Sequence, residues 1–347
     1  MVKKGFQVKL SDIAKRLNVS SVTVSKALRG HPDISSNTVK RIKEVAKELG
    51  YVPNFMARNL SSKNSRMIGV IVPKIAHFFF SAVIESIYDA AFENGYEIIL
   101  TVSQENAERE ILHIQSLLSM RVDGLIISVS EETIDYSIFE TVRKMGLPIT
   151  FIDRIIPLKE FNSIVSDDYA GAVLATEQAI KVGYKKLGHI GGYQHTNIGR
   201  DRLKGFKDTL KKHDIPIYPE KIILGGFGED DGYKGFMKLY SSGNLPEFIL
   251  AVSFPVALGI YKAAQELGLK IPKDFDIICF GNAGLNQFLT PKMTIVDQSA
   301  STIGRAAVEL VLENIRSQET FQPKHLKLAT KLVMGETCSK KFEKPKK

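Results

Sequence analysis

The stretch Ser20–Gly30, SSVTVSKALRG, puts two chemistries on one short helix. Val24, Ala27 and Leu28 recur at i, i+3 and i+4, the spacing of one apolar helical face. Val22, Lys26 and Arg29 fall on the other side at i, i+4 and i+7, among the hydroxyls of Ser21, Thr23 and Ser25. Small residues let a backbone come close to base edges, and hydroxyls bond to phosphates or bases. A lysine reaches the acceptors of guanine, and a valine methyl touches the methyl of thymine. The face suits the reading of duplex DNA. A helical bundle used for protein contacts would present a similar face, and the stretch alone leaves both readings open.

The flanking sequence supplies the elements that would hold this face. LSDIAKRL forms a first helix with Ile13, Ala14 and Leu17 inward. Asn18 takes the left-handed turn that Asn tolerates. Ser20 caps a second helix over 21–28, which Gly30 and Pro32 stop. A third helix runs from Ser36 to Leu49, capped by Ser35 and ended by Gly50, with Val39, Ile42, Val45, Ala46 and Leu49 as its apolar stripe. Three such helices are the helix-turn-helix plan, whose second helix enters the major groove. The charge agrees. Residues 1–66 hold 14 Lys and Arg against 4 Asp and Glu, a net +10, while residues 67–339 carry −5 and the tail 340–347 carries +4. A basic head on a slightly acidic body fits a nucleic-acid-binding module joined to a domain of another kind. After Pro53, NFMARNL has a cap in Asn54 but spans only two turns, and SSKNS reads as a linker. A helix this short is marginal alone, so it would order on a partner, with Leu60 as an apolar wedge, or remain a linker.

The run DIAKRLNVSSVTVSKALRG, with ISSNTVKRIKEVAKELGYVPNFMARNL behind it, resembles the head and hinge of the LacI/GalR family of bacterial transcription regulators. The resemblance extends over nearly the whole chain. It implies a homodimeric repressor of carbohydrate-related genes, binding a pseudo-palindromic double-stranded operator and controlled by a small-molecule effector, a sugar or sugar derivative. It places DNA contacts at Ser20, Ser21, Val22, Thr23, Ser25, Lys26 and Arg29 in the head. In the hinge it places them at Asn54, Ala57, Arg58 and Leu60, the paired leucines entering the minor groove. Where the family mostly carries Arg this chain has Lys26, which lacks the bidentate fork.

From Met67 apolar runs alternate with amphipathic helices: MIGVIVP, EIILTV, GLIIS, PITFID, SIVSD, LGHIGG, EFILAV, DIICFG and TIVDQ. Continuous apolar strands separated by helices mean parallel sheets covered on both faces, and their number suggests two subdomains. The fold class expected is α/β: a three-helix head over 1–52, a hinge helix and linker over 53–66, and a two-lobed core like that of periplasmic binding proteins over 67–339, with a basic tail at 340–347. The N-lobe is expected over 67–165 and 298–323, the C-lobe over 166–297 and 324–339. Ligands of such sheets bind beyond the carboxyl ends of the strands, here between the lobes.

Candidate effector residues therefore sit at strand ends. His77, Phe79 and Phe80 follow the first strand, with Phe78 and one other phenylalanine read as lobe core. Asp153 closes PITFID, either accepting ligand hydroxyls or pairing with Arg154; Asp167 and Asp168 read as caps of the next helix. By the resemblance, Arg202 in RLKGF reaches the effector, Phe227 stacks on it, and Gln298 contacts it from a crossover. The chain departs from the family twice. Ser253-Phe254 stands where Asn-Asp is usual, and Gly281, followed by Asn282, stands at a usual acid. The carboxylates that grip sugar hydroxyls are missing there, which opens three alternatives: Phe254 and Asn282 take over part of the binding, the ligand is not a sugar, or a partner protein controls the dimer.

Other classes find little support. No Gly-rich phosphate turn follows the first strand, no Gly-x-Ser-x-Gly elbow occurs, and no His/Cys cluster has metal spacing, so no enzyme, cofactor or metal is expected. No apolar run reaches the ~18 residues of a membrane span. Two cysteines and no secretory h-region point to the cytoplasm.

Overall fold

The computed structural model describes residues 8–52, 64–281, 283–317 and 322–339, in two compact units that divide at Ser65 and Arg66. The first unit is the head: α1 (Leu10–Leu17), α2 (Ser21–Leu28) and α3 (Ser36–Glu48). Local signals end each helix. Asn18 sits at φ 54° after α1, Ser20 Oγ accepts from Thr23 N at 3.0 Å, and Ser35 Oγ accepts from Thr38 N at 3.3 Å. Gly30 and Gly50 take positive φ after α2 and α3, where a Cβ would be strained. Ile13, Ala14, Val24, Ala27, Ile42 and Ala46 form the buried centre.

The second unit holds two six-stranded sheets. The N-lobe contains β1 (Met67–Val72), α4 (Phe78–Glu93), β2 (Glu97–Val102), α5 (Ala107–Ser119), β3 (Gly124–Ile127), α6 (Ser137–Lys144), β4 (Ile149–Ile152) and β5 (Asn162–Ser166). The C-lobe follows with α7 (Asp168–Val182), β6 (Leu187–Gly191), α8 (Asn197–Lys212), β7 (Ile222–Leu224), α9 (Glu229–Ser241), β8 (Phe248–Ala251), α10 (Phe254–Glu266), β9 (Asp276–Gly281) and β10 (Thr294–Asp297). The chain returns to the N-lobe in α11 (Ala300–Arg316) and β11 (His325–Leu328), and ends in the C-lobe with β12 (Lys331–Val333). Strand order is β11-β5-β4-β3-β1-β2 in one sheet and β12-β10-β9-β8-β6-β7 in the other. The pairings are parallel except β10 with β12. Central strands such as β3 and β8 are buried along their length, as sheets covered on both faces require.

The third crossover corrects one expected boundary. His325–Leu328 pairs with Ser163–Ser166 in the first sheet, so residues 324–328 belong to the N-lobe and the chain crosses at 329–330. The cause is local. HLKL alternates in burial on a sheet edge and carries no continuous apolar run to announce a strand. The edge strands β7 and β12 are three residues each, too short for an apolar run to announce them.

Close packing of α4 on α11 depends on Gly304. A Cβ there would strike Ser86 Oγ and the Val83 carbonyl. That contact fixes α11 against the N-lobe and thereby the crossover at Gln298, which lines the cleft.

Candidate functional site

On the head, α2 turns two faces apart. Val24 and Ala27 are fully buried, while Val22 is 64% exposed and Ser21 and Arg29 are exposed. Ser25 and Lys26 lie at the margin of that face. Ser20 and Thr23 spend their hydroxyls on the cap, Oγ to Oγ1 at 2.9 Å, which places them at the helix start with limited capacity for a partner. Arg29 lies back along the helix, its Nε donating to the Ser25 carbonyl at 3.2 Å. The Lys26 ammonium donates to Asp33 Oδ2 at 3.1 Å, and His31 Nδ1 stands 3.3 Å from the same oxygen. The hydrogen bond from Lys26 and the cationic neighbours hold Asp33 below the usual carboxylate range, so it stays ionised beside the lysine.

In the second unit the strand ends converge on a cavity of about 60 Å³ between the lobes. His77, Phe79, Phe80 and Asp153 line it from the N-lobe, Arg202, Phe227, Ser253 and Phe254 from the C-lobe, and Gln298 from the crossover. Nine of the expected effector positions are thus brought together. Asn282, and the hinge positions Asn54, Ala57, Arg58 and Leu60, lie outside the described residues. At this volume the cavity has room for only a few waters, and a larger occupant requires the lobes to part.

The side chains differ in what they have left to offer. Ser253 caps α10, accepting from Val256 N at 3.3 Å, and donates to the Phe227 carbonyl at 2.9 Å, so its hydroxyl is already occupied. Arg202 is buried against Asp168 at 2.6 Å, bonds to the Val252 carbonyl, and lies 3.9 Å over the Phe280 ring. Asp167 caps α7 through Ala170 N at 3.1 Å, but Asp168 does not cap; it is the counter-ion of Arg202. Burial, cations nearby notwithstanding, pushes the Asp153 carboxyl up. Burial, with Lys74 and Arg154 close by, lowers His77 to about 4, leaving a neutral imidazole at pH 7. Gln298 is buried, and its backbone carbonyl accepts from Ser166 Oγ at 3.3 Å.

One expectation changes. Phe78, expected in the lobe core, is 44% exposed, lines the cavity and meets the Phe254 ring edge-on at 6.4 Å across the lobes, while Phe80 both lines the cavity and, at 2% exposed, packs in the N-lobe core. The register of α4 explains this: Phe80, Val83 and Ile87 share its packed face, and Phe78 begins the helix off that face.

Several lining or bridging residues were not foreseen. Arg154 pairs with Glu105 rather than Asp153, at 2.6 Å with both side chains buried, and its guanidinium lies 4.7 Å over the Phe227 ring of the other lobe. Its Nε is buried without a partner. Asn197 clamps the lobes, donating to the Asp153 carbonyl at 2.8 Å and accepting from Ile155 N at 3.1 Å. His195 Nε2 reaches the Glu131 carbonyl at 2.5 Å. Glu105 also accepts from Glu131 N, so this loop is tied to both the cleft arginine and the C-lobe.

Family models match the chain over most of its length. One, described as periplasmic binding proteins and sugar binding domain of LacI family, matches residues 65–335; the other, bacterial regulatory proteins of the lacI family, matches residues 9–54. The chain belongs to the LacI family. Catabolite control protein A of Priestia megaterium is 30% identical over 315 residues, 90% of this chain and 93% of that protein. The transcriptional repressor CytR of Escherichia coli K12 is 30% identical over 328 residues, 94% of this chain and 96% of that one. The lac repressor dimer bound to operator and the anti-inducer ONPF shares the fold with a TM-score of 0.84 at 24% identity, covering 96% of this chain and 99% of that chain. This LacI-family chain is accordingly a DNA-binding transcriptional regulator, of a family of regulators and not of enzymes. Among its described residues no helix is long and apolar enough to cross a membrane.

Membership gives the Lys26–Asp33 pair a consequence. On a DNA-binding head, a carboxylate held against Lys26 would repel phosphates and restrain the ammonium. Asp33→Asn is expected to strengthen binding to random duplex several-fold and to steepen the log–log salt slope by about 1, as one more cation becomes available to phosphate. Preference at the base pair under Lys26 should fall. Fluorescence anisotropy across a salt series measures both; an unchanged slope contradicts the role given to Asp33.

Glu110 on α5 supports the same loop. Its carboxylate accepts from Ser130 N at 2.7 Å and Thr133 Oγ1 at 2.8 Å, and burial pushes it up to about 7. A pKa raised in the folded state adds stability that is complete below the unfolded value and disappears as pH rises through 7. From the direction and size of that shift the loss between pH 4.5 and 8 is on the order of 3 kcal/mol. Asp168 and Asp276, which burial pushes up to about 6, add to the same fall, so Glu110→Gln should lessen the drop in melting temperature over that window, and a profile identical to the parent would contradict the assignment.

Proposed function

We propose that the chain is a homodimeric repressor whose two heads read the half-sites of a pseudo-palindromic operator, each through Ser21, Val22, Ser25 and Lys26, in the cytoplasm where that DNA lies. The observation that carries this reading is α2 itself. Its buried Val24 and Ala27 are fully used by the head core, while the opposite face exposes a valine among hydroxyls and a lysine. The head's own packing gives no role to the exposed side chains of Ser21 and Val22 on that face. Paired hinge segments, Asn54 to Leu60, kink the operator centre, the cost of unstacking being offset by contacts to the bent duplex. Exposed apolar side chains support self-association: Tyr88 and Phe92 stack on α4 at 6.5 Å, and Leu224 and Tyr240 are exposed on the C-lobe.

A small molecule held between the lobes alters their angle, and with it the fit of the heads to the operator, a coupling between two sites. The charge balance of the cleft favours a small ligand there. Its two arginines are already paired within the protein, and one guanidinium N–H, that of Arg154 Nε, is buried without an acceptor.

Binding to a duplex with both half-sites, compared with a duplex carrying one, tests the dimeric reading. Two heads per duplex and a loss of at least a hundredfold on deleting one half-site are expected; equal affinity for both duplexes overturns it. Leu60→Ala should weaken binding to the full site while leaving the sedimenting species unchanged, and undiminished affinity removes the wedge.

A further inference from the structure

Away from the cleft, at the amino ends of β4 and β5, the N-lobe holds two further cavities, of about 230 and 200 Å³ against about 60 Å³ between the lobes. α6 packs on one face of the sheet and α11 on the other, and the carboxyl ends of both reach the strand starts at Ile149 and Asn162. Gly146 turns the chain at φ 77° just after α6, and Leu147 and Pro148 then run into β4 along the wall of the larger cavity. Asn314, in the last turn of α11, lines both cavities.

The two cavities differ in what their side chains have left to offer. In the smaller, Lys324 pairs with Glu313 at 2.6 Å, Asn162 donates to the Leu310 carbonyl at 3.4 Å and accepts from Lys324 N at 2.9 Å, and Ser317 donates to the Glu313 carbonyl at 2.7 Å. In the larger, three polar side chains stand among Gly146 and four apolar ones: Arg143, Glu160 and Asn314. Arg143 and Glu160 carry opposite charges at its exposed rim, and neither forms an ion pair among the described residues. Asn314 is 8% exposed, and its side-chain amide has no hydrogen-bond partner among them either. A buried amide left that way counts against stability unless something meets it. Thr150 adds a second such group: it follows Ile149 on β4, and its Oγ1 is fully enclosed without a partner. It stands opposite Asn162 in register and so shares the face that Asn162 turns to α11.

This arrangement suits a small zwitterion. An anion alone meets Glu160 and the carbonyl ends of two helices, whose dipoles disfavour it. A cation alone meets Arg143. A sugar finds three polar side chains for a hydroxyl on nearly every carbon. An α-amino acid gives each group its complement: carboxylate to Arg143, ammonium to Glu160, and a hydrocarbon side chain to Leu147, Pro148, Ile149 and Phe161. The Asn314 amide both donates and accepts, so it serves either end. The volume lies below the ~300 Å³ at which pockets for drug-sized ligands begin, and an amino acid is smaller than those.

We propose that this cavity is a second ligand site, separate from the inter-lobe cleft, and that it takes a free α-amino acid with an apolar side chain, its carboxylate on Arg143 and its ammonium on Glu160. Isothermal titration of the full-length protein with L-leucine, L-valine, L-methionine and L-phenylalanine tests it, each beside its amide and its deaminated acid, which lack one charge apiece. At least one amino acid is expected to bind, one per chain, and at least about tenfold tighter than either of its two controls. Arg143→Gln should erase the preference over the amide, and Glu160→Gln the preference over the deaminated acid. The melting temperature of both variants should match the parent's, since both side chains are exposed. A merely structural role would not produce that crossed pattern. No binding by any of the four, equal affinity for an amino acid and either control, or binding indifferent to both substitutions overturns the proposal.

Discussion

Asp168→Ala is expected to destabilise the core by about 3–5 kcal/mol, the range found when one partner of a buried ion pair is removed. Arg202 is 2% exposed, and Asp168 accepts from its Nε at 2.8 Å and lies 2.6 Å from its Nη2. Truncating the acid leaves a guanidinium that cannot lose its charge, buried beside a cavity with room for only a few waters. The Val252 carbonyl and the Phe280 face would be its remaining neighbours. Removing both partners is a different experiment. Asp168→Leu with Arg202→Met replaces the pair with apolar volume and should recover most of the loss, because the penalty comes from the orphaned charge more than from the missing attraction. Thermal and urea unfolding measure both. If the single and double variants are equally destabilised, the pair is not acting as a buried charge couple.

Lys26→Ala should weaken operator binding by about 1–3 kcal/mol, the contribution of a good base contact, which is roughly five- to 150-fold. Binding to random duplex should change far less, because Lys26 is only one of many cations in a head with a net charge of +10 over residues 1–66. The head should fold normally, since Lys26 lies outside the buried set of Ile13, Val24, Ala27 and Ile42. The contrast with Asp33→Asn is diagnostic. One variant loses the reader and the other loses its restraint, so they should move the ratio of specific to random binding in the same direction and the random affinity in opposite ones. A Lys26→Ala loss equal on operator and random duplex would make the lysine a phosphate contact rather than a base contact.

The head was legible because its information is local. Asn18, Ser20, Ser35, Gly30 and Gly50 each mark a helix end within a few residues of the apolar stripe they terminate. The lobes were legible for a related reason, since central parallel strands announce themselves as continuous apolar runs. What escaped was long-range or marginal. Arg154 finds Glu105 from 49 residues away, and Asn197 finds Asp153 from 44, and no periodicity links such loops. Phe78 and Phe80 differ in burial although they are two residues apart in one run, because the start of α4 decides which faces the core. The edge strands β7, β11 and β12 are short and half exposed, which removed the pattern that identified their neighbours. The absence of an acid at Gly281 was readable, but its cause, the root of Phe254 standing in that space, was not.

The most direct test of the central claim is selection of binding sites from random duplex DNA by the purified full-length protein, followed by titration of the winner across a salt series. The account predicts a two-fold-related sequence bound at least a thousandfold tighter than random duplex, with affinity falling steeply and log-linearly as salt rises. Recovery of no common sequence, or an affinity nearly independent of salt, would contradict it.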